Sequence, residues 1–306
     1  MKIAMLGSLG NVNSLMIPKL IEEGHDVTVI TSSTERVPQI EELGATAEVG
    51  TMADPDFLTK VFTDKDVVYL MISGTGAGLD LNLEMKKQGE IFREAITNAG
   101  VHKVVQLSSV GAEAGPEAGS LHAYQYLETE LKKMTDVDIA FVRPVGFYNN
   151  LYSNLATIKN EHAIYSNIPE DTVQKYVAPS DIASVALPLI EEVPKGVTIH
   201  YAVSDTFSMK DFIGKLAEAA DMSDLHFVEI TDEQMKQGMI ANQVPETIID
   251  AFLKTNQYQK SAKNIYAALN ESNTTVGTVK LADFVKQYTQ AIINTQDSHR
   301  SSTIVD

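Results

Sequence analysis

Short apolar runs alternate with amphipathic stretches through the first half of the chain. The apolar runs, such as residues 3–6, have the length of β-strands and almost no polar interruption, which is typical of a parallel sheet buried on both faces. The stretches between them carry apolar residues at helical spacing, and the stretch 83–99 ends at Gly100, where a helix C-cap is expected. Strands that alternate with helices predict parallel βαβ units with right-handed crossovers.

Six strands and five helices are predicted before Pro144. The predicted strands are residues 3–6, 27–31, 45–49, 67–71, 104–108 and 139–143. The predicted helices are residues 14–23, 37–43, 54–62, 83–99 and 121–134. This series predicts an α/β fold built on a doubly wound parallel sheet of the Rossmann type.

The pattern changes after Pro144. A polar, asparagine-rich stretch covers residues 148–160, and the last third of the chain is mostly helical in character. Further strands are predicted at residues 175–178, 198–203 and 226–230. Further helices are predicted at residues 180–191, 209–220, 232–240, 246–253 and 281–293. We therefore expect a smaller, mainly helical α/β domain beside the parallel sheet.

Composition and charge narrow the classes of protein. Hydrophobic residues make up 44% and charged residues 21% of the chain, which is ordinary for a globular protein. The absence of cysteine excludes disulfides and fits a cytoplasmic protein, and the seven histidines show no metal-ligand spacing. A formal net charge of −17 predicts no general nucleic-acid binding, because it repels phosphate backbones. No apolar run approaches the ~20 residues that cross a bilayer, so no membrane association is expected.

The loop after the first strand is Gly7-Ser8-Leu9-Gly10-Asn11-Val12-Asn13, and it leads directly into a helix. In dinucleotide-binding folds the first glycine permits a tight turn, the second admits the pyrophosphate, and the helix N-terminus supplies N–H groups. Asn13 replaces the expected third glycine, and we expect it to cap the helix. A plain strand–helix turn is the alternative, but the βαβ context favours a dinucleotide site formed by Gly7 to Val12.

Hydroxyl and guanidinium groups follow the second strand. Ser32, Ser33 and Arg36 stand where NAD-dependent proteins carry an acid that binds the ribose hydroxyls. These groups suit a 2′-phosphate, and they favour NADP(H) over NAD(H) as the cofactor. The alternative is a helix N-cap at Ser33 or Thr34, followed by a solvated arginine.

Four segments in this order resemble the NmrA-like group of atypical short-chain dehydrogenases/reductases. They are residues 7–10, 49–54, 105–109 and 142–151, and the Arg143-Pro144 segment in the last of them is the most specific. The resemblance covers about residues 1–293. It implies a Rossmann domain and a smaller domain, with a small-molecule substrate bound between them.

The resemblance also implies domain boundaries. We expect a dinucleotide-binding domain of residues 1–147 plus about 174–203 and a substrate-binding domain of residues 148–173 plus about 204–294. Residues 295–306 are polar and are predicted to be a disordered tail.

The resemblance implies further site residues as well. It places Ser108 and Pro144 on the cofactor, and it places Tyr148, Asn149 and Asn150 on the nicotinamide and substrate side. A polar turn after Pro144 is the alternative for these last three residues.

The glycine-rich run 74–78 follows the fourth predicted strand. It either borders the cofactor, acts as a lid or is a plain surface loop.

The catalytic residues of the wider superfamily are incomplete in this chain. Short-chain dehydrogenases use a serine and a Tyr-x-x-x-Lys pair, in which the lysine holds the ribose and lowers the tyrosine pKa. Here Tyr124 is followed four residues later by Glu128, and the first lysine after Tyr124 is Lys132. His122 and Tyr124 are the candidate proton donors. Alternatively, His122 is a solvated helix-start residue and Tyr124 is a core aromatic.

Three functions follow from these features. The first is an NADPH-dependent oxidoreductase that acts on a small carbonyl or quinone-like substrate. The second is a non-catalytic NADP(H)-binding redox sensor or regulatory protein with a protein partner, which the absent lysine motivates. The third, sugar-nucleotide epimerisation, is disfavoured because that chemistry in related enzymes relies on the Tyr/Lys pair.

Overall fold

The computed structural model describes residues 1–72, 80–261 and 265–294. The glycine-rich run 74–78 and the predicted tail 295–306 lie outside the described residues. In the part that is described, no helix is both long enough and apolar enough to pass through a membrane.

Strands and helices alternate as the apolar pattern predicts. In chain order the strands are β1 (Lys2–Met5), β2 (Asp26–Thr31), β3 (Thr46–Val49), β4 (Val67–Leu70), β5 (Lys103–Leu107), β6 (Asp138–Pro144), β7 (Gly146–Phe147), β8 (Ala163–Ser166), β9 (Val173–Val177), β10 (Val197–Val203), β11 (Asp205–Ser208), β12 (His226–Glu229) and β13 (Thr274–Val276). The α-helices are α1 (Asn13–Glu22), α2 (Val37–Glu42), α3 (Pro55–Phe62), α4 (Leu81–Ala99), α5 (Ala123–Leu131), α6 (Leu155–Glu161), α7 (Pro179–Glu191), α8 (Met209–Ala219), α9 (Asp232–Ala241), α10 (Glu246–Gln259) and α11 (Leu281–Asn294).

Eight parallel strands form the main sheet. Their spatial order is β13-β10-β6-β5-β4-β1-β2-β3, and every neighbouring pair in this sheet is parallel. The order reverses between β1 and β4, which is the topological switch point where doubly wound sheets bind ligands. The predicted doubly wound parallel sheet is thereby confirmed.

Hydrophobic layers cover both faces of the main sheet. Along β4, Tyr69 belongs to the layer that includes Ile17 of α1 and Ile182 of α7. The next residue, Leu70, belongs to the opposite layer with Phe92 of α4. Because successive strand residues point to opposite faces, both sides of β4 are buried, and this explains its uninterrupted apolar sequence.

A third hydrophobic cluster forms next to the end of β6. It is rich in aromatic residues, and its largest members are Tyr148, Tyr176, Phe207, Phe212, Phe284 and Tyr288. Two small sheets accompany it, one with the order β11-β9-β7 and one formed by β8 and β12. The strand predicted at residues 175–178 therefore lies in a small sheet, whereas the one predicted at 198–203 joins the main sheet.

Candidate functional site

A cavity of about 570 Å³ opens at the carboxyl ends of β1, β2, β3 and β4. Its wall includes residues from the loops that follow these strands, among them Gly7, Ser32, Gly50 and Met71. The switch point of the sheet therefore coincides with a real concavity. The predicted cofactor residues that line it are Gly7, Ser8, Gly10, Asn11, Val12, Ser32 and Arg36.

The loop after β1 is held in a conformation that requires glycine at its first position. Gly7 has a φ of +100°, and a Cβ atom there would lie 2.7 Å from Met71 Cγ. The Ser8 N–H donates to Ile30 O at 3.1 Å, and its hydroxyl donates to Thr31 Oγ1 at 3.0 Å. The loop is thereby fastened to the end of β2.

Asn13 stabilises this loop in a way that differs from the prediction. It is the first residue of α1 and makes no capping hydrogen bond from its side chain. Instead, its Nδ2 donates to Leu6 O at 2.7 Å and to Ser8 O at 3.1 Å. The expectation that Asn13 caps α1 is wrong, because a cap needs a side-chain acceptor and here the amide is used as a donor.

The start of α1 fits a pyrophosphate. The hydrogen bonds of the described chain do not use the N–H groups of Asn11, Val12 and Asn13, which are orphan donors at a helix N-terminus. A Cβ atom on Gly10 would lie 3.1 Å from Gly7 O, so the bare glycine keeps the approach open. These residues form an anion-binding cradle on one wall of the cavity.

The segment after β2 carries a hydroxyl and a guanidinium on the same cavity wall. Ser32 and Arg36 line the cavity, with Ser32 exposed and Arg36 half-buried. Ser33 instead accepts a hydrogen bond from the Glu35 N–H at 3.3 Å and caps the 3₁₀ helix Thr34–Arg36. The capping interpretation of Ser33 is therefore confirmed.

Further lining residues come from elements that are distant in sequence from the loop after β1. Gly50, Thr51, Met52 and Ala53 follow β3, while Glu84 and Gln88 come from α4 and Phe147 from β7. The family-like segment 49–54 was a local pattern that pointed to the first group. No local pattern links α4 to β3, because that contact depends on the Gln88 side chain, whose Nε2 donates to Met52 O at 2.8 Å.

Comparison with known proteins agrees with this geometry. Residues 7–192 match a family model described as NAD(P)H-binding. The chain belongs to this NAD(P)H-binding family. The resemblance to atypical short-chain dehydrogenases/reductases is confirmed at this level.

One curated relative of this NAD(P)H-binding chain is the photosystem II assembly factor Ycf39 of Synechocystis sp. It is 23% identical over 195 residues, which cover 62% of this chain and 59% of that protein. The chain therefore matches somewhat over half the length of this relative.

Solved structures share the fold over almost the whole chain. A nucleoside-diphosphate-sugar epimerase from Staphylococcus aureus has a TM-score of 0.77 at 15% identity, covering 94% of this chain and 100% of its own. A Citrobacter sp. triphenylmethane reductase complexed with NADP(H) has a TM-score of 0.75 at 18% identity, covering 94% and 99%. An NADPH-dependent quinone oxidoreductase from Escherichia coli, complexed with NADPH, has a TM-score of 0.76 at 15% identity, covering 93% and 99%.

Ser108, a predicted cofactor residue, lies in a buried polar network at the end of β5. Its hydroxyl donates to Glu128 Oε1 at 2.7 Å, and Glu128 also accepts from the Lys132 ammonium at 2.8 Å. The Arg143 guanidinium binds both Glu128 oxygens and reaches Glu113 Oε2 at 2.6 Å. Glu128 thus uses both of its carboxylate oxygens within this network.

Charge balance in the network follows from these contacts. Burial alone would raise the pKa of Glu128, but the hydrogen bonds and charges of Arg143 and Lys132 outweigh it and lower that pKa. Burial by itself would lower the pKa of Arg143, but its bonds to Glu128 raise it instead. Both groups are therefore charged at neutral pH.

His122 is one of the predicted proton donors. It ends the 3₁₀ helix Pro116–His122 and is buried, so its interpretation as a solvated residue is wrong. Its Nδ1 lies 2.8 Å from Ala114 O, and its ring meets the Tyr126 ring edge-on at 5.3 Å between centroids. Because a carbonyl oxygen only accepts, Nδ1 carries the proton in this contact. His122 is not among the described residues that line the cavity.

Tyr124 is the other predicted proton donor. It lies in the first turn of α5 and packs against the hydrophobic layer that contains Phe92 and Leu127. Burial raises the pKa of its hydroxyl. Of the two interpretations in the sequence analysis, this placement matches that of a core aromatic, and the described cavity wall does not include Tyr124.

The remaining predicted residues lie away from the described cavity wall. Leu9 packs against the core beside α1, and Pro144 is buried at the end of β6. Tyr148 is buried in the aromatic cluster with its ring 4.5 Å from that of Phe284, while Asn149 is half-buried and Asn150 is exposed. Phe147, immediately before them, does line the cavity.

Proposed function

We propose that this chain is an NAD(P)H-dependent oxidoreductase that prefers NADP(H) and reduces a small carbonyl or quinone-like substrate. The observation that carries the proposal is that the β1 loop and the Ser32–Arg36 segment line one cavity. The structural likeness to the triphenylmethane reductase complexed with NADP(H) and to the NADPH-dependent quinone oxidoreductase supports reductase chemistry.

Different residues of the cavity bind different parts of the cofactor. The N–H groups of Asn11 and Val12 hold the pyrophosphate, since they point from a helix N-terminus. Arg36 and Ser32 bind the 2′-phosphate by charge-assisted hydrogen bonds. A reduced nicotinamide held by these residues would supply hydride-transfer chemistry. The substrate binds next to Phe147, which lines the cavity and precedes Tyr148, Asn149 and Asn150 in the chain.

Reduction of a carbonyl or quinone also needs a proton. We assign its delivery to His122, with Tyr124 as the second candidate. The Nδ1 proton of His122 is directed at Ala114 O, so Nε2 is the ring nitrogen that remains for proton transfer. Burial raises the pKa of the Tyr124 hydroxyl, which makes it a weaker acid than an ordinary tyrosine.

The test combines binding and turnover on purified protein. NADPH and NADH are titrated by cofactor fluorescence, and oxidation of each is followed by absorbance with a panel of quinones, aldehydes and ketones. We expect NADPH to bind more tightly and to be oxidised by at least one class. Protein that binds neither dinucleotide would overturn the proposal.

A second candidate function is regulatory binding without turnover. It is favoured by Glu128, which stands four residues after Tyr124, where the Tyr-x-x-x-Lys pattern has a lysine. A carboxylate at this position cannot lower the pKa of a tyrosine, and Glu128 is bound by Arg143. This alternative predicts that NADP⁺ and NADPH bind with different affinities and that a protein partner follows their ratio. NADPH binding without oxidation across the panel, together with a redox-dependent partner in a pull-down, would favour it over catalysis.

A further inference from the structure

A carboxylate lies in a cavity that is otherwise suited to anions. Of the described residues that line the cavity, two carry a charge, Arg36 and Glu84. Arg36 suits a phosphate, but a carboxylate near phosphates is unfavourable unless it faces a hydrogen-bond donor. Glu84 is half-buried on the cavity wall, so its charge bears on whatever binds there.

The fold locates Glu84 on the β3 side of the cavity. Glu84 lies in the first turn of α4, and Gln88 follows one turn later on the same face of the helix. Gln88 Nε2 donates to Met52 O at 2.8 Å, which fastens α4 to the loop after β3. Glu84 and residues 50–53 therefore enclose the same end of the cavity.

This end corresponds to the adenosine half of the dinucleotide. In the sheet, β2 and β3 lie on one side of β1, while β4, β5 and β6 lie on the other. Arg36 and Ser32 follow β2 and take the phosphate on the adenosine ribose, so the base extends toward the loop after β3. Leu107 and Phe147 line the cavity from β5 and β7 and leave the opposite end to the nicotinamide.

Among the groups at this end of the cofactor, the adenine 6-amino group is a donor that a carboxylate can bind. We propose that Glu84 accepts a hydrogen bond from the adenine 6-amino group and makes the site selective for adenine, with Gln88 holding the loop at Met52 beside the base. The inference rests on the proposed cofactor site, but it does not depend on turnover.

The test uses a cofactor in which only that group is changed. NADPH and its reduced analogue with an unsubstituted purine base, which carries a hydrogen atom in place of the 6-amino group, are titrated by fluorescence. Because the analogue has no N–H group to donate to the carboxylate, we expect wild-type protein to bind it about tenfold more weakly or worse, the effect of losing a hydrogen bond to a charged group. Equal affinities would overturn the inference.

Two matched variants complete the experiment. Glu84→Gln keeps an acceptor oxygen but removes its charge, which weakens the hydrogen bond to the 6-amino group, so we expect the two affinities to come within about threefold of each other. Glu90→Gln removes the same charge from an exposed site on α4 and is expected to keep the wild-type ratio. The inference would also be overturned if Glu84→Gln unfolds at the same thermal midpoint as Glu90→Gln and keeps the wild-type ratio of the two affinities. Failure of wild-type protein to bind either dinucleotide would instead overturn the cofactor site itself.

Discussion

Arg143 and Glu128 form a bidentate ion pair beneath the end of the sheet. Arg143 Nε donates to Glu128 Oε1 at 2.9 Å and Nη2 donates to Oε2 at 2.7 Å, with the two side chains 3% and 1% exposed. Ser108 shares the Oε1 atom, and Tyr201 accepts from Arg143 Nη1 at 2.8 Å. The pair connects α5 to β6.

Glu128→Gln is expected to reduce the free energy of unfolding by about 3 kcal/mol. The reason is that the variant leaves a buried guanidinium short of its main counter-charge, which is costly even though Glu113 remains. Lys132→Gln is the control, because this ammonium is 39% exposed and its pair with Glu128 contributes less than about 1 kcal/mol. Urea denaturation measures both, and a loss in Glu128→Gln no larger than in the control would contradict the prediction.

The same pair predicts a dependence of stability on pH. The folded-state pKa of Glu128 is lowered from its ordinary value of 4.5, so its stabilisation is complete above that value and is lost as the pH falls through the lowered pKa. The difference in unfolding free energy between wild type and Glu128→Gln should therefore narrow below about pH 4.5. Denaturation curves at a series of pH values test this, and a difference that stays constant down to acid unfolding would refute it.

The sequence was sufficient to predict most of the sheet, because local pattern decided it. Val67–Leu70 reads as a buried strand on apolar character alone, and pairing with β1 and β5 only confirms it. β7 (Gly146–Phe147) is too short for any periodicity, and β11 (Asp205–Ser208) has only one apolar residue, Phe207. Both form because pairing with β9 satisfies their backbone groups. Helices inside the asparagine-rich stretch were missed for a related reason, since burial of Leu151 and Ile158 overrides weak helix propensity.

The candidate site, like the sheet, has parts that local sequence predicts and parts that depend on contacts between distant residues. The β1 loop is one continuous segment with a fixed glycine requirement, so its position in the cavity could be expected. Glu84 and Gln88 reach the cavity only because α4 packs near the loop after β3, a contact between residues more than thirty positions apart. The role of Asn13 depends on two carbonyl oxygens, of Leu6 and Ser8, that converge only in the folded loop.

Asn13 variants test whether its side chain holds the phosphate loop. Asn13→Ala removes two buried hydrogen bonds and is expected to cost about 1–3 kcal/mol of stability and to weaken dinucleotide binding. Asn13→Asp is expected to be worse than Asn13→Ala, because a carboxylate would face the Leu6 and Ser8 carbonyl oxygens. Thermal unfolding and fluorescence titration measure both effects. Asn98→Ala, on an exposed position of α4, is the control, and equal stability of the Ala and Asp variants at position 13 would argue against the donor role.

Arg36→Ala tests the preference for the 2′-phosphate. Loss of a charge-assisted contact is expected to weaken NADPH binding by about tenfold or more, while NADH, which lacks the phosphate, changes by less than about threefold. NADH therefore serves as the control within the same protein preparation. Fluorescence titration of both cofactors gives the ratio, and a parallel loss for NADPH and NADH would show that Arg36 acts on the structure of the loop instead.

His122→Asn separates proton donation from folding. The Asn side-chain amide replaces Nδ1–H as a donor to Ala114 O, so the fold is expected to be kept while the titratable ring is lost. If His122 supplies the proton, kcat with NADPH and a responsive quinone or carbonyl falls about 100-fold with unchanged NADPH affinity. His102→Asn is the control, because the His102 ring contacts Asp136 O in the same way at an exposed site. A wild-type kcat in His122→Asn would transfer the role to Tyr124, for which Tyr124→Phe is then the decisive variant.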